Sequence, residues 1–387
     1  MASTRRRNGS WHVRYRDLDG NLREMRAGKT ESEAEQLKVR VEEWLADGIC
    51  PSRASATFGQ VTEAFFRDYL IPRCRYGTVR DYQSAFEKYF LPLWESVPMR
   101  RVTKAAMKRT LAEIQSAGEI SNKRVNNIAV PLKRLWSWSV EEGYATTNNA
   151  LGLKPYPTEH PEMMYLTSSE IHLLAGACDY HDGFYRPHIL TLGWTGLRFG
   201  ELRELRFSDC ELDNLQRPMV HVQRAVQNGK EIVGAPKSGK DRWVGLPPHI
   251  ADLLRTQRER LCASDGDLVF PSHNGSRLDP SDFRSRVFKP SLVKAGLALP
   301  QVKSEPRVPT VRIHDLRHSF ARIFLVEGKG DIYGLKEAMG HADVKTTMRY
   351  AHFSKGDAAR AADTLAAAWQ RNQEDAKGDL EESSESV

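Results

Sequence analysis

From Trp11 to Asp17 the chain alternates bulky apolar residues with basic ones, WHVRYRD, the period-two pattern of a strand with one face covered and one in water. Asp19-Gly20 marks a turn and NLREMRA (21–27) can return as a second strand. Residues 31–47 then switch to helical spacing, with Leu37, Val41, Trp44 and Leu45 on one side. Beyond a small, polar loop, PSRASAT (51–57), four stretches between about 58 and 152 place apolar residues three and four apart: VTEAFFRDYLI, YQSAFEKYFLPL, TKAAMKRTLAEIQ and SNKRVNNIAVPLKRLWSWSVEEGY. They predict four helices, with Thr103 and Ser121 as N-caps and Gly118 and Gly143 as stops. LKPYPTEHPEM (about 153–163) has three prolines and no periodicity, which predicts an extended linker.

A second, longer patterned region starts at Leu166. Thr167 and Glu170 have the spacing of a capping box, and a helix through HILTLGW leads into TGLR. MVHVQRAV (219–226), EIVGAPK (231–237) and DRWVGLP (241–247), separated by Asn228-Gly229 and Ser238-Gly239, predict a three-stranded meander with Lys237 at its second turn. Helical spacing recurs around 248–260, 281–295, 313–328, 331–339 and 343–350. GDAARAADTLAAAWQR (356–371) is Ala-rich and helix-favouring, with Leu365 and Trp369 one turn apart, and the acidic end after it has the composition of a disordered tail. The expected architecture is multidomain and mainly α with small β-sheets: a basic β-sheet-plus-helix module (1–50), a four-helix domain (58–152), a linker (153–165), a mixed, mainly helical domain (166–372) and the tail (373–387).

Charge adds a partner class to this picture. Lys and Arg number 57 against 50 Asp and Glu, a net charge of +7, which favours a polyanion. The excess is concentrated in residues 1–29, with eight basic and three acidic residues, and in residues 100–134, with nine and two. Arg5, Arg6, Arg7, Arg14 and Arg16 in the first block and Lys104, Lys108, Lys123 and Arg124 in the second are the DNA-binding candidates, with Lys240 a further one. Five scattered cysteines without a CxxC fit reduced thiols. MASTRRRNGS lacks an apolar signal core and no run approaches the ~18 apolar residues of a membrane span, so a protein of the cytoplasm is expected.

Five short pieces carry candidate chemistry: Arg198 in TGLRFGEL, Lys237 in PKSGK, His314 and Arg317 in HDLRHSF, His341 in MGH and Tyr350 in TTMRYAH. Two arginines can hold a phosphodiester through planar forks, two histidines and a lysine can move protons or donate hydrogen bonds, and a tyrosine can be the nucleophile. A rival reading takes His314 and His318, four apart on a helix, as metal ligands, but Asp315 stands where the HExxH motif has glutamate and no third ligand is evident. In composition and order the five pieces resemble the tyrosine recombinase (phage integrase) family, and the N-terminal strands and helix resemble the arm-binding domain of many phage integrases. One departure is Met339, where Leu is usual before Gly-His.

The resemblance implies a core-binding helical domain and a catalytic domain placed on the two sides of a duplex. It also implies catalysis by Arg198, Lys237, His314, Arg317, His341 and Tyr350, supported by Glu201. Attack on phosphorus builds charge on the nonbridging oxygens, which Arg198 and Arg317 would neutralise while His314 and His341 add hydrogen bonds. His314 is the expected base for the Tyr350 phenol, whose ordinary pKa is ~10. Lys237, with Lys240 as competitor, is the expected acid for the leaving 5′ oxygen. The implied product is a 3′-phosphotyrosyl enzyme that needs neither metal nor cofactor to religate. The expected partners are double-stranded attachment-site DNA, three further copies of the chain in a tetramer on that DNA, an excision factor and a host DNA-bending protein. The helix 356–371 is expected to pack either on its own domain or on a neighbouring protomer. Type IB topoisomerase-like strand transfer and Xer-like resolution are the alternatives.

Overall fold

The computed structural model describes residues 2–18, 20–159, 163–226, 233–236, 239–298 and 311–354, in two compact units, Met1–Pro161 and Glu162–Val387. Lys237, the turn at Asn228-Gly229, the Asp19 and Ser238 turn positions, the Ala-rich segment 356–371 and the acidic tail lie outside the described residues.

In the first unit the alternating segment is strand β2 (Ser10–Arg16), between β1 (Ser3–Arg7) and β3 (Leu22–Gly28) in an antiparallel sheet. The sheet has three strands rather than the expected two, because the basic run Ser3–Arg7 pairs along β2 from Ser3 opposite Arg14 to Arg7 opposite Ser10. Val13 and Tyr15 point to one face and pack with Leu37 and Val41 of the helix Glu31–Ala46, which starts in a Thr30/Glu33 capping box. The register sets Arg5, Arg7, His12, Arg14, Arg16 and Arg26 on the uncovered face. Arg6, opposite Trp11, is exposed on the other side.

Four helical runs follow, at 58–73, 76–94, Lys104–Ser116 and Asn122–Glu141. Thr103 and Ser121 cap the last two through their side-chain oxygens, as their sequence positions predict. The first two runs each widen into a π-helical turn, Phe65–Leu70 and Phe86–Phe90, just before Pro72 and Pro92. A proline has no N–H for the helical ladder and crowds the carbonyl four residues back, so the turn before it opens. The runs close over an aromatic core in which Phe58 meets Trp94 edge-on at 5.4 Å and Phe90 stacks on Trp94 at 5.7 Å. Lys104, Lys108, Lys123 and Arg124 remain exposed on it.

The second unit surrounds the buried helix Arg186–Thr195, against which the Thr167-capped helix Ser168–Gly176 and the helices Pro248–Leu261 and Asp315–Arg322 pack. The expected three-stranded meander is in fact two separate pieces. β4 (Cys210–Glu211), β5 (Met219–Val222) and β8 (Arg242–Gly245) form one sheet, in which β5 pairs directly with β8. β6 (Ala225–Val226) and β7 (Val233–Gly234) form a separate two-stranded ladder between them in sequence. A smaller core of Phe320, Leu325, Leu335, Met339 and Tyr350 ties together the helices Asp315–Arg322, Ile332–Met339 and Val344–Met348.

A buried cation cluster beside a tyrosine

Arg198 precedes the short helix Phe199–Leu202. Its backbone N–H donates to Oε2 of Glu201 at 2.9 Å and its Nη1 donates to Oε1 at 2.8 Å. Glu201 is 2% exposed, and it also accepts two N–H bonds from Arg242 of β8, at 3.1 and 2.8 Å. Burial alone would raise the Glu201 carboxyl, but the hydrogen bonds and charges of Arg242 and the charge of Arg198 outweigh it and hold the pKa at about 2. Two guanidiniums are thus fixed by one permanent carboxylate, which leaves a net positive charge in a nearly dry place.

Arg317 obtains its partners differently. Its Nη1 donates to the carbonyl of Gly196 and its Nη2 to the carbonyl of Met339 at 2.6 Å, while Nη2 of Arg198 reaches the carbonyl of Gly340 at 3.4 Å. These carbonyls lie at the C-terminal ends of the helices Arg186–Thr195 and Ile332–Met339, where oxygens lack helical donors and the helix dipole favours cations. Both helices end on a left-handed glycine, Gly196 at φ 64° and Gly340 at φ 63°. A Cβ there would strike the Phe320 ring or, at 2.5 Å, the side chain of Arg242. Burial first, then Arg198, lowers the Arg317 guanidinium to about 9, so it is still a cation at neutral pH.

The helix Asp315–Arg322 and the residue before it carry His314, Arg317 and His318 one turn apart, with His314 exposed and the other two buried. The rings of His314 and His318 lie 5.2 Å apart, nearly perpendicular. His341 follows Gly340 and its Nδ1 contacts Oγ1 of the buried Thr347 at 2.9 Å. Burial, followed by Arg317, Arg198, Arg242 and Arg349, lowers the His341 imidazole to about 4. Tyr350 is 2% exposed and its hydroxyl lies 2.6 Å from Nδ1 of His318. Burial raises this phenol, and the nearby cations Arg349, Arg317 and Arg198 oppose the shift.

Arg198, Glu201, Arg317, His341 and Tyr350 therefore converge in one site, with His314 on the same helical turn. Lys237 falls outside the described residues; Lys240 is described, exposed, just before β8. Arg242 and Thr347 were not singled out from the sequence, and His318 entered only as a rival metal ligand beside His314. Among the described residues no three His, Cys, Asp or Glu side chains are grouped to hold a metal ion. Arg5, Arg7, Arg14 and Arg16 are exposed on the uncovered sheet face of the first unit.

Residues 164–356 match the family described as the phage integrase family. The integrase of Mycobacterium phage FRAT1 is 26% identical over 324 residues, 82% of this chain and 91% of that protein. The fold is similar to that of the Tn1549 transposon integrase in complex with transposon right end DNA, with a TM-score of 0.64 at 20% identity, covering 80% of this chain and 100% of that one. It is also similar to that of a lambda integrase tetramer bound to a Holliday junction, with a TM-score of 0.57 at 19% identity, covering 89% of this chain and 93% of that one.

The depressed histidines make a pH prediction. His318 and His341 both have folded pKa values of about 4, below the ordinary ~6.5, so between those values the unfolded chain binds more protons than the folded one. Folding stability should accordingly fall as pH drops through this window and be indifferent to these groups above it. Urea unfolding between pH 7.5 and 5 checks this, with His341→Gln expected to flatten the slope. A slope unchanged in that variant would mean that His341 is not held neutral by the cluster.

Proposed function

The chain belongs to the phage integrase family of tyrosine recombinases, and from that premise we propose that it breaks and rejoins double-stranded DNA at specific sites through a 3′-phosphotyrosyl bond at Tyr350. The reading extends to integration of a phage or other mobile element into a bacterial chromosome in the cytoplasm and, with an excision factor, to its release. The observation that supports it most is that the buried Tyr350 lies close enough to Arg198 and Arg317, both fixed by buried partners, for their charges to act on its phenol. No helix among the described residues is long and apolar enough to cross a membrane.

In this reading Arg198 and Arg317 take the nonbridging oxygens of the scissile phosphate, and their preorganisation means that little rearrangement is needed as charge develops. His341, neutral at pH 7 and oriented by Thr347, donates a hydrogen bond to the same oxygens, and His314 adds another. Glu201 and Arg242 position Arg198. The acid for the 5′ oxygen is assigned to Lys237, from its sequence context. The basic sheet face of the N-terminal module enters a groove of accessory-site DNA, while Lys104, Lys108, Lys123, Arg124 and Lys240 contact core-site backbone. Four copies act together on two duplexes, as the tetrameric lambda integrase neighbour suggests, with a host DNA-bending protein assisting.

A nicked suicide duplex tests the nucleophile. Tyr350→Phe should yield no covalent protein-DNA band yet bind DNA within about twofold of the wild type, since basic contacts along the duplex supply most of the affinity. An attached product from Tyr350→Phe protein would overturn the assignment. The acid is tested by replacing the bridging 5′ oxygen with sulfur, whose thiolate leaves without a proton. Lys237→Ala should be slow on ordinary DNA and recover most of its rate on the sulfur substrate, whereas Lys240→Ala should be mildly affected on both. Rescue of Lys240→Ala instead would move the acid by three residues.

A further inference from the structure

The side chain that meets the nucleophile is His318, one residue beyond Arg317, although sequence reasoning assigned the proton to His314. Nδ1 of His318 lies 2.6 Å from the Tyr350 hydroxyl, and both groups are buried, at 8% and 2% exposure. On the far side of the ring, Nε2 lies 4.0 Å from Oδ1 of Asp315, whose other oxygen accepts the backbone N–H of Arg312 at 2.7 Å. The imidazole thus lies between a carboxyl and a hydroxyl, at hydrogen-bond distance from the hydroxyl and at ion-pair distance from the carboxyl, an order of groups that suits a base directed at a nucleophile. His314, by contrast, is exposed at the start of the same helix.

We propose that His318 is the catalytic base for Tyr350, with Asp315 as its positioning residue. In cleavage the Oη–H bond of Tyr350 breaks and its proton passes to Nδ1 of His318. The Oη–P bond forms, the P–O5′ bond breaks, and the 5′ oxygen takes a proton from a separate acid, assigned above to Lys237. The protein then holds an imidazolium and a neutral amine in place of a neutral imidazole and an ammonium. Religation runs the same transfers backwards, with His318 returning its proton to the departing phenolate. The inference rests on the recombinase reading and names the proton acceptor within it.

The groups facing His318 set its working state. His314, Arg317 and Arg349 are cations or can become so, Asp315 is the acid beside it among the described residues, and Tyr350 is the proton source. Burial first, then His314, Arg349 and Arg317, lowers the imidazole to about 4, so before DNA binds it is the free base at neutral pH. The charge of a bound phosphodiester would offset Arg317 and raise its basicity, which makes proton transfer from a phenol easier when substrate is in place.

The test is single-turnover cleavage of a suicide duplex from pH 6 to 9, normalised to DNA-bound protein, by wild type, His318→Gln, His318→Ala, His314→Gln and Tyr350→Phe. Normalisation lets a partial folding defect reduce the amplitude without changing the slope of rate against pH. The wild-type rate should be nearly flat. His318→Gln should be slower by ~100-fold or more at pH 7 and should climb about tenfold per pH unit, because the phenol must then ionise unaided. Added imidazole should accelerate His318→Ala and leave the wild type unchanged. His314→Gln should be slower but keep the flat profile. His318→Gln with wild-type rate and profile, or the alkaline slope in His314→Gln instead, would overturn the inference. A covalent product from Tyr350→Phe would instead bring down the recombinase reading beneath it.

Discussion

Glu201 is the residue on which the site depends. It is a single buried carboxylate that accepts hydrogen bonds from both Arg198 and Arg242. Gathering guanidiniums in a place that excludes water is unfavourable unless each has a partner, and removing one partner from such a cluster typically costs about 3–5 kcal/mol. The fold supplies partners of two kinds. Glu201 serves Arg198 and Arg242, and the carbonyls that terminate two helices serve Arg317. Because the carbonyls are dipoles rather than anions, Arg317 keeps its full positive charge for a ligand. The left-handed glycines at both helix ends follow from the same need, since they end each helix where its last carbonyls meet the guanidiniums.

The same cluster sets the state of the histidines. Burial first, and then the neighbouring cations, Arg317 and Arg349 beside both rings, oppose protonation, so His341 and His318 are neutral near pH 7 and the positive charge resides on the arginines. A neutral imidazole can donate a hydrogen bond or accept a proton, whereas an imidazolium can only donate. Fixed cations for charge and neutral histidines for proton traffic are therefore two results of one arrangement.

Much of this was legible in the chain. Thr103, Ser121 and Thr167 cap the helices they precede, β2 follows its alternation, and Arg198, Arg317, His341 and Tyr350 come together although 152 residues separate the first from the last. What could not be read depends on tertiary register. Ser3–Arg7 carries no alternation of its own and becomes a strand only because β2 offers a free edge. The meander splits because β5 pairs with β8, leaving β6 and β7 to pair with each other. Glu201 was expected to support the catalytic residues, but nothing local distinguishes Arg242, its second partner, from other arginines. His314 and His318 are one turn apart, and only the path of the chain to Tyr350 decides which of them meets the phenol.

The central claim is that Arg198 and Arg317 form a preorganised site for the charge on the scissile phosphate. It is tested most directly by single-turnover cleavage of duplexes in which one nonbridging oxygen at that position is replaced by a methyl group, which removes the negative charge while leaving the 5′ oxygen in place. Arg198→Ala and Arg317→Ala are each expected to be slowed by ~100-fold or more on ordinary DNA and to regain most of that loss on the methylphosphonate. Variants equally slow on both substrates would contradict the claim, because the arginines would then be needed for something other than phosphate charge.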